Sequence, residues 1–158
     1  MNETDRHTHN ALQPSPMGDL RLLERCAELT PEQLDATIPG AYSSIYDTLQ
    51  HIVTTEQSYF SRISTGQPYR RPSNAPRMTQ AEMADALRAT GSGLVEWAPK
   101  IQAGDMVEID WEGTPRAVPK AIVLAQVINH ATEHREQIKA ILTQLGIEPP
   151  DLQAWSFF

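Results

Sequence analysis

Four long stretches of the chain repeat their apolar residues at the spacing of an α-helix, and strand-like segments do not alternate with them. The pattern predicts helices over residues 16–29, 43–64, 79–101 and 119–145. Amphipathic helices of this length bury their apolar faces against one another. The sequence therefore predicts an all-α fold, an antiparallel four-helix bundle.

Two segments between these helices depart from helical spacing. The stretches MVEIDW and TPRAV flank Glu112 and Gly113, a pair that permits a tight turn, so a small hairpin or irregular segment is predicted between the third and fourth helices. The stretch GQPYRRPSNAPR, between the second and third helices, is proline-rich and basic, which predicts a surface loop. Within the third helix, Gly91 and Gly93 are expected to weaken or bend the middle.

The two ends of the chain differ in composition from its middle. Residues 1–15 are polar and aperiodic, which predicts a flexible N-terminal tail carrying His7 and His9. Residues 16–147 form the predicted bundle, which is the candidate metal-binding domain. The C-terminal segment, residues 148–158, is too apolar for a free tail and is expected to pack on the bundle. We expect three of its residues to make that contact: Leu152, Trp155 and Phe158.

The charge balance restricts the partners of this protein. Its 158 residues carry a formal net charge of −7, so its field repels phosphate backbones and we expect no nucleic-acid binding. The N-terminus lacks the apolar core of a signal peptide, and the longest apolar stretch, residues 121–128, is too short to span a bilayer. The single cysteine, Cys26, is interpreted as a small buried hydrophobe. These features predict a cytoplasmic protein without membrane contact.

The sequence NHATEHREQI, residues 129–138, places two histidines one helical turn apart. His134 falls in the apolar stripe of the fourth helix and His130 lies on its flank, so both imidazoles can project toward one point. Such a pair is half of a metal site, although two packed or solvated histidines would show the same spacing. His51, on the flank of the second helix, is the only other histidine outside the tail. Periodicity alone does not show whether His51 joins His130 and His134 in a metal site.

The same residues match the zinc-peptidase string H-x-x-E-H, in which the glutamate is the general base. Glu133, however, lies well away from the apolar stripe of its helix. We expect its side chain to point to solvent rather than toward a metal at His134. The peptidase interpretation is therefore disfavoured.

Three further polar residues lie close to these histidines in the helical pattern. Glu56 falls in the apolar stripe of the second helix, where it could orient a histidine or a bound ligand, or pair with an arginine. Gln137 shares the histidine side of the fourth helix and could contact a ligand. Arg135 projects away from the stripe and is expected to pair with a carboxylate on a neighbouring segment. We treat Glu56 and Gln137 as candidate ligand-binding residues.

The stretches SSIYDTLQHIVTTE and NHATEHREQIKAILTQLGIEPPDLQAW resemble the DinB/YfiT-like family of four-helix-bundle proteins. The resemblance covers most of the chain from Met17 onward. It rests on a histidine near the start of the second helix and on an H-x-x-x-H-R-x-Q pattern, matched here by His51, His130, His134, Arg135 and Gln137. The sequence departs from the family pattern at the N-terminal end of the bundle. There, Pro14 and Pro16 shorten the first helix, which is usually longer in the family.

The resemblance implies one divalent metal site formed by His51, His130 and His134, with coordination positions left open. Characterised relatives include thiol-dependent transferases and isomerases that use mycothiol, bacillithiol or glutathione. A metal-dependent S-transferase that takes a low-molecular-weight thiol and a small-molecule substrate is therefore implied, as is a homodimer. Imidazole ligands suit zinc, nickel, copper or iron, so the sequence does not name the metal.

Three functions remain open at this point. A three-histidine site leaves the ion its full charge, so a thiol bound there would be favoured as the nucleophilic thiolate. The same site could instead generate hydroxide from water, which predicts a metal-dependent hydrolase. The remaining alternative is a non-catalytic bundle that binds a metal or a small ligand. A thiol would come from outside the chain, since nothing in the sequence places Cys26 at the metal.

Overall fold

The structure, a computed structural model, describes residues 14–157. It is mostly helical, with one small antiparallel sheet. The helices are α1 (Pro14–Cys26), α2 (Pro31–Leu34), α3 (Ile45–Thr65), α4 (Gln80–Trp97) and α5 (Lys120–Gln144). The strands are β1 (Met106–Trp111) and β2 (Thr114–Pro119), and short 3₁₀ turns occupy Ala98–Lys100 and Ala154–Phe157.

Residues that favour helix caps fix where the long helices begin and end. Ser44 caps α3 by accepting a hydrogen bond from the backbone N–H of Asp47 at 3.2 Å. Thr79 and Glu82 form a reciprocal capping box at the start of α4. Gly66, with φ of 79°, ends α3 in the left-handed conformation that glycine adopts without strain.

The first helix begins and ends earlier than the periodicity predicts, since α1 runs from Pro14 to Cys26. Thr30 has an extended backbone, and its hydroxyl accepts a hydrogen bond from the N–H of Gln33 to cap α2. A residue before a proline avoids the helical conformation, so Thr30 before Pro31 separates the two helices. The predicted tail, with His7 and His9, lies outside the described residues except for its last two positions, which are helical.

The hairpin forms where the sequence predicts it. Strands β1 and β2 pair antiparallel, with Trp111 opposite Thr114. The turn residues Glu112 and Gly113 have φ values of 51° and 80°. Two consecutive positive φ values match the twist of a two-residue hairpin turn, which explains the glycine.

The core is built by the four long helices, with α3 packing on α4 and α5 and α1 packing on the same two helices. Gly93 does not break α4, which is one uninterrupted helix. A Cβ atom at Gly93 would clash with the outer edge of the Phe60 ring, so glycine leaves room for this ring between α3 and α4. The helical content and the hairpin are thus confirmed, and the antiparallel bundle arrangement stays a prediction. The larger of two buried clusters includes Leu22, Ile45, Leu49, Met83, Ile138 and Leu142.

The last residues return to α1. Arg21 and Arg25 donate hydrogen bonds to the backbone oxygens of Asp151 and Glu148, and the Arg21 guanidinium lies over the Phe157 ring. Leu152 packs against the larger cluster as predicted, whereas Trp155 is 73% exposed, so the prediction for that residue was wrong. Phe158 lies outside the described residues.

Across residues 14–157, no helix has both the length and the apolar character needed to cross a membrane.

Candidate metal centre

Two neighbouring helices carry the three histidines of the candidate site. His51 lies in the N-terminal half of α3, and His130 and His134 lie near the middle of α5. The spacing of four places the latter two on one face of α5, and this face packs against α3. The packing of α3 on α5 therefore brings residues far apart in sequence to one place.

The three imidazoles converge. The Nε2 atoms of His51 and His130 are 3.0 Å apart, and one ligand nitrogen from each histidine lies within 4.8 Å of the other two. In a tetrahedral zinc site with bonds of about 2.0–2.1 Å, ligand nitrogens are separated by about 3.3 Å. The observed separation of His51 and His130 suits either a shared proton or two lone pairs directed at one cation.

Gln137 fixes the orientation of His134. Its Oε1 lies 3.0 Å from Nδ1 of His134 and accepts a second hydrogen bond, at 3.1 Å, from the backbone N–H of Tyr42. An amide oxygen only accepts, so the tautomer that suits this contact has its proton on Nδ1 and its lone pair on Nε2. This is the arrangement that prepares a histidine to bind a metal through Nε2. Gln137, predicted as a ligand-binding residue, is placed where it contacts His134.

Two tyrosines form walls around the histidines. The Tyr42 ring stacks on His51 with centroids 4.2 Å apart and meets His134 edge-on at 5.1 Å. Tyr59, on α3, meets His130 edge-on at 5.8 Å. Tyr42 lies in the loop before α3, where helical periodicity gives no signal, so the sequence analysis missed it.

The electrostatics keep two of the imidazoles neutral. Burial, followed by the nearby His134 and His51, lowers the pKa of His130 to about 4. Burial and His134 also lower the pKa of His51 below its ordinary value. Neutral imidazoles offer a lone pair to a cation at neutral pH, whereas imidazolium ions would repel it.

A buried cluster of three ionisable side chains, Asp19, Glu56 and Arg135, lies on the helices that surround this site. Arg135 is buried and its Nη1 donates to Oδ1 of Asp19 on α1 at 3.2 Å. The predicted carboxylate partner is thus present, but the prediction that Arg135 projects away from the core was wrong. Glu56 is also buried and accepts a hydrogen bond from the hydroxyl of Thr90 on α4, while its Oε2 has no partner among the described residues.

The pKa values of both carboxyls in this cluster are raised. Burial raises the pKa of Asp19 to about 6, although the Arg135 guanidinium opposes the shift. Burial and the charge of Asp19 raise the pKa of Glu56 to about 8. No hydrogen bond between Glu56 and a histidine occurs within residues 14–157, so its role in holding a ligand stays a prediction.

His51 borders a cleft that runs along α3. A cavity beside His51 is lined by Tyr42, Ser43, Asp47, Gln50 and Thr54. Gln50 and Thr54 also line a larger cavity of about 750 Å³, which extends to the 66–79 loop and the hairpin. A small molecule in this cleft would therefore have access to His51.

Two other side chains singled out in the sequence lie away from this chemistry. Glu133 is exposed, as predicted, so the structure gives no support to the peptidase interpretation. Cys26 is free and fully buried in α1, where burial raises the pKa of its thiol to about 12. A protonated, inaccessible thiol is a poor nucleophile, which agrees with its interpretation as a buried hydrophobe.

The donor set fits a divalent transition metal. Three imidazoles whose ligand nitrogens lie within 4.8 Å of one another, two of them held neutral and one oriented by Gln137, could hold such an ion. Zinc, nickel, copper and iron all accept imidazole ligands. Three protein ligands leave at least one coordination position for water or a substrate.

A family model described as the DinB family matches residues 15–157, nearly the whole chain. No protein of curated function matches the chain.

Proposed function

The chain belongs to the DinB family, and on that premise we propose that it is a metal-dependent S-transferase that uses a low-molecular-weight thiol. The observation that carries the proposal is the convergence of the three histidines, whose ligand nitrogens lie within 4.8 Å of one another beside an open cleft. The resemblance of the H-x-x-x-H-R-x-Q segment to thiol-dependent transferases supports a thiol as one of the two reactants.

We assign the metal to His51, His130 and His134. A divalent ion bound there would lower the pKa of a thiol at its open position, so that the sulfur reacts as thiolate at neutral pH. Gln137 keeps the proton of His134 on Nδ1 and so directs Nε2 toward the ion. Tyr42 and Tyr59 pack against the rings of His51 and His130 and help to position them.

The reaction forms one bond and breaks one. The thiol sulfur bonds to an electrophilic carbon of the substrate, and the leaving group departs with the electron pair of the broken bond. The thiol proton ends in solvent or on the leaving group, so the products are a thioether, the leaving group and one proton. The thiol comes from outside the chain, because Cys26 is buried and its pKa is raised to about 12.

An apolar pocket supports an electrophile with a hydrocarbon body. It has a volume of about 300 Å³ and lies between Tyr59, the hairpin and the start of α5. Since Tyr59 also contacts His130, a substrate bound in this pocket would lie near the histidines.

The arrangement that supplies these contacts is, we propose, the antiparallel four-helix bundle predicted from the sequence. We also propose, as predicted from the sequence, that the protein acts in the cytoplasm. A homodimer is the assembly that the family resemblance implies.

The test is a turnover assay with the metal-loaded protein. Zinc-, nickel- and iron-loaded samples are each incubated with mycothiol, bacillithiol or glutathione and a chromogenic aryl chloride, and formation of the aryl thioether is followed by absorbance. We expect turnover that needs both metal and thiol and that is lost in His134→Ala. The matched control, Glu133→Gln, alters an exposed neighbour and should retain activity.

Absence of turnover with every thiol would contradict the transferase proposal. Hydrolysis of an ester substrate without added thiol would instead favour the hydrolase. Loss of that hydrolysis in Glu133→Gln would restore the peptidase interpretation.

A further inference from the structure

An arginine cluster lines the cleft next to the histidines, in a chain whose net charge is −7. Arg62 on α3 and Arg70 and Arg71 in the 66–79 loop all line the cavity of about 750 Å³. The overall field of an acidic protein repels anions, so a local group of three arginines in one cleft counters that field where a ligand would bind.

The residues that the structure describes form no ion pair with these three arginines. Within residues 14–157, no carboxylate lies in salt-bridge contact with any of the three, whereas Arg77 of the same loop pairs with Asp47 and Asp35. Arg62 donates to the backbone oxygen and hydroxyl of Ser58, and Arg71 donates to the backbone oxygen of Pro76.

At Arg62, the hydrogen bonds to Ser58 leave part of the guanidinium without an acceptor. The Nε of Arg62 is buried without a hydrogen-bond partner among the described residues. The guanidinium group presents a fork of donors that matches a carboxylate or phosphate. Among the described residues that line the cavity, Asp110 is the only carboxylate, so this lining carries more positive than negative charge.

The cluster lies at a fixed distance from the histidines along one helix. His51, Thr55, Ser58 and Arg62 follow the spacing of one helical face, and Arg62 reaches back to Ser58. Seven residues of helix at a rise of about 1.5 Å place Ser58 about 10 Å along the axis from His51. A ligand that reaches both places therefore needs two functional groups separated by about this length.

We propose that the cleft binds the carboxylate or phosphate of an acidic thiol whose sulfur lies at the three histidines. The inference rests on the proposed function, and it narrows the class of thiol from any low-molecular-weight thiol to one with an anionic group remote from the sulfur. Arg62, Arg70 and Arg71 are the specificity residues, and a thiol with a neutral head group lacks their contacts.

The test compares two thiols that differ only in the remote group. Mercaptooctanoate and mercaptooctanol, each with a terminal sulfur, are titrated into the cobalt-loaded protein, and binding is followed by the near-ultraviolet sulfur-to-cobalt absorption. We expect the carboxylate to bind at least about tenfold more tightly, as charge-assisted hydrogen bonds predict. The double variant Arg70→Gln/Arg71→Gln should reduce this difference without weakening the binding of mercaptooctanol.

The matched control is Arg88→Gln, since Arg88 lies on α4, pairs with Asp85 and does not line the cleft. It should leave both affinities unchanged. Equal affinity of the two thiols for the wild-type protein would overturn the inference.

A second titration separates failure of the inference from failure of the proposed function. Inorganic phosphate and acetate are titrated into the metal-free protein by calorimetry. Binding of either anion that weakens at least about tenfold in Arg70→Gln/Arg71→Gln supports an oxyanion site even if no thiol binds cobalt, and the preferred anion identifies the group. If no thiol binds and neither anion shows arginine-dependent binding, both proposals fall.

Discussion

Gln137 holds His134 by a contact of 3.0 Å between its Oε1 and Nδ1 of the imidazole, and the same oxygen accepts the backbone N–H of Tyr42 at 3.1 Å. One side chain thus links a candidate metal ligand on α5 to the loop before α3. The contact sets which nitrogen of His134 carries the proton. A substitution at Gln137 removes this contact and leaves all three histidines in place.

We expect Gln137→Leu to weaken metal binding about 10–100-fold, the usual cost of losing the partner that orients a metal-binding histidine. The variant Gln137→Glu keeps an acceptor oxygen at this position and should retain the affinity. Competition with a chromogenic chelator measures both. Equal affinities for wild type and Gln137→Leu would show that His134 does not depend on this contact.

Tyr42 should contribute to metal binding through its ring rather than its hydroxyl, because the ring stacks on His51 with centroids 4.2 Å apart. We expect Tyr42→Ala to weaken metal binding about twofold to tenfold, corresponding to an aromatic pair of about 0.5–1.5 kcal/mol. Tyr42→Phe preserves the stacked ring and should bind metal like the wild type. A loss in Tyr42→Phe as large as in Tyr42→Ala would assign the effect to the hydroxyl.

The buried pair between Arg135 and Asp19 should matter more for folding than any surface pair. Asp19→Ala leaves the Arg135 guanidinium buried without this carboxylate, and we expect a loss of about 3–5 kcal/mol in the free energy of unfolding. Asp85→Ala removes the exposed partner of Arg88 and should cost less than about 1 kcal/mol. Urea unfolding of both variants measures the difference, and equal losses would contradict the importance of the buried pair.

Glu56 should make the stability depend on pH. Burial and Asp19 raise its pKa from 4.5 to about 8, so the folded protein binds this proton more tightly than the unfolded chain does. The resulting stabilisation is full below about pH 4.5 and is lost as the pH rises through about 8.

Urea unfolding of wild type and Glu56→Gln at about pH 6.5 and pH 9 tests this. The wild type should lose stability relative to the variant as the pH rises, because an amide in place of the carboxyl does not titrate. A constant difference between the two proteins would mean that Glu56 is already ionised at about pH 6.5. Both pH values lie above the pKa of Asp19, about 6, which limits the contribution of Asp19 to the change in stability between them.

The helices could be predicted from the sequence because their signals are local. Apolar spacing and the caps at Ser44 and Thr79 define α3 and α4 without reference to the rest of the chain. The hairpin was predictable for the same reason, since Glu112 and Gly113 determine the turn. The early end of α1 was missed because the extended backbone of Thr30 serves the cap of α2, which outweighs the apolar pattern.

The candidate site was only partly predictable. The pairing of His130 with His134 follows from helical geometry, whereas His51 lies off the apolar stripe and meets them only because α3 packs on α5. Periodicity therefore does not assign His51 to the site, whereas the family resemblance does. The contacts of Tyr42 and Asp19 are tertiary, and no pattern within their own segments indicates them.

Elemental analysis of the purified protein beside its His134→Ala variant tests the central claim most directly. If His51, His130 and His134 share one cation, the wild type should carry about one divalent metal ion per chain and the variant much less, since two imidazoles bind more weakly than three. The control Glu133→Gln should match the wild type. Wild-type protein that takes up no metal when supplied with it, or a variant with the same metal content, would contradict the account.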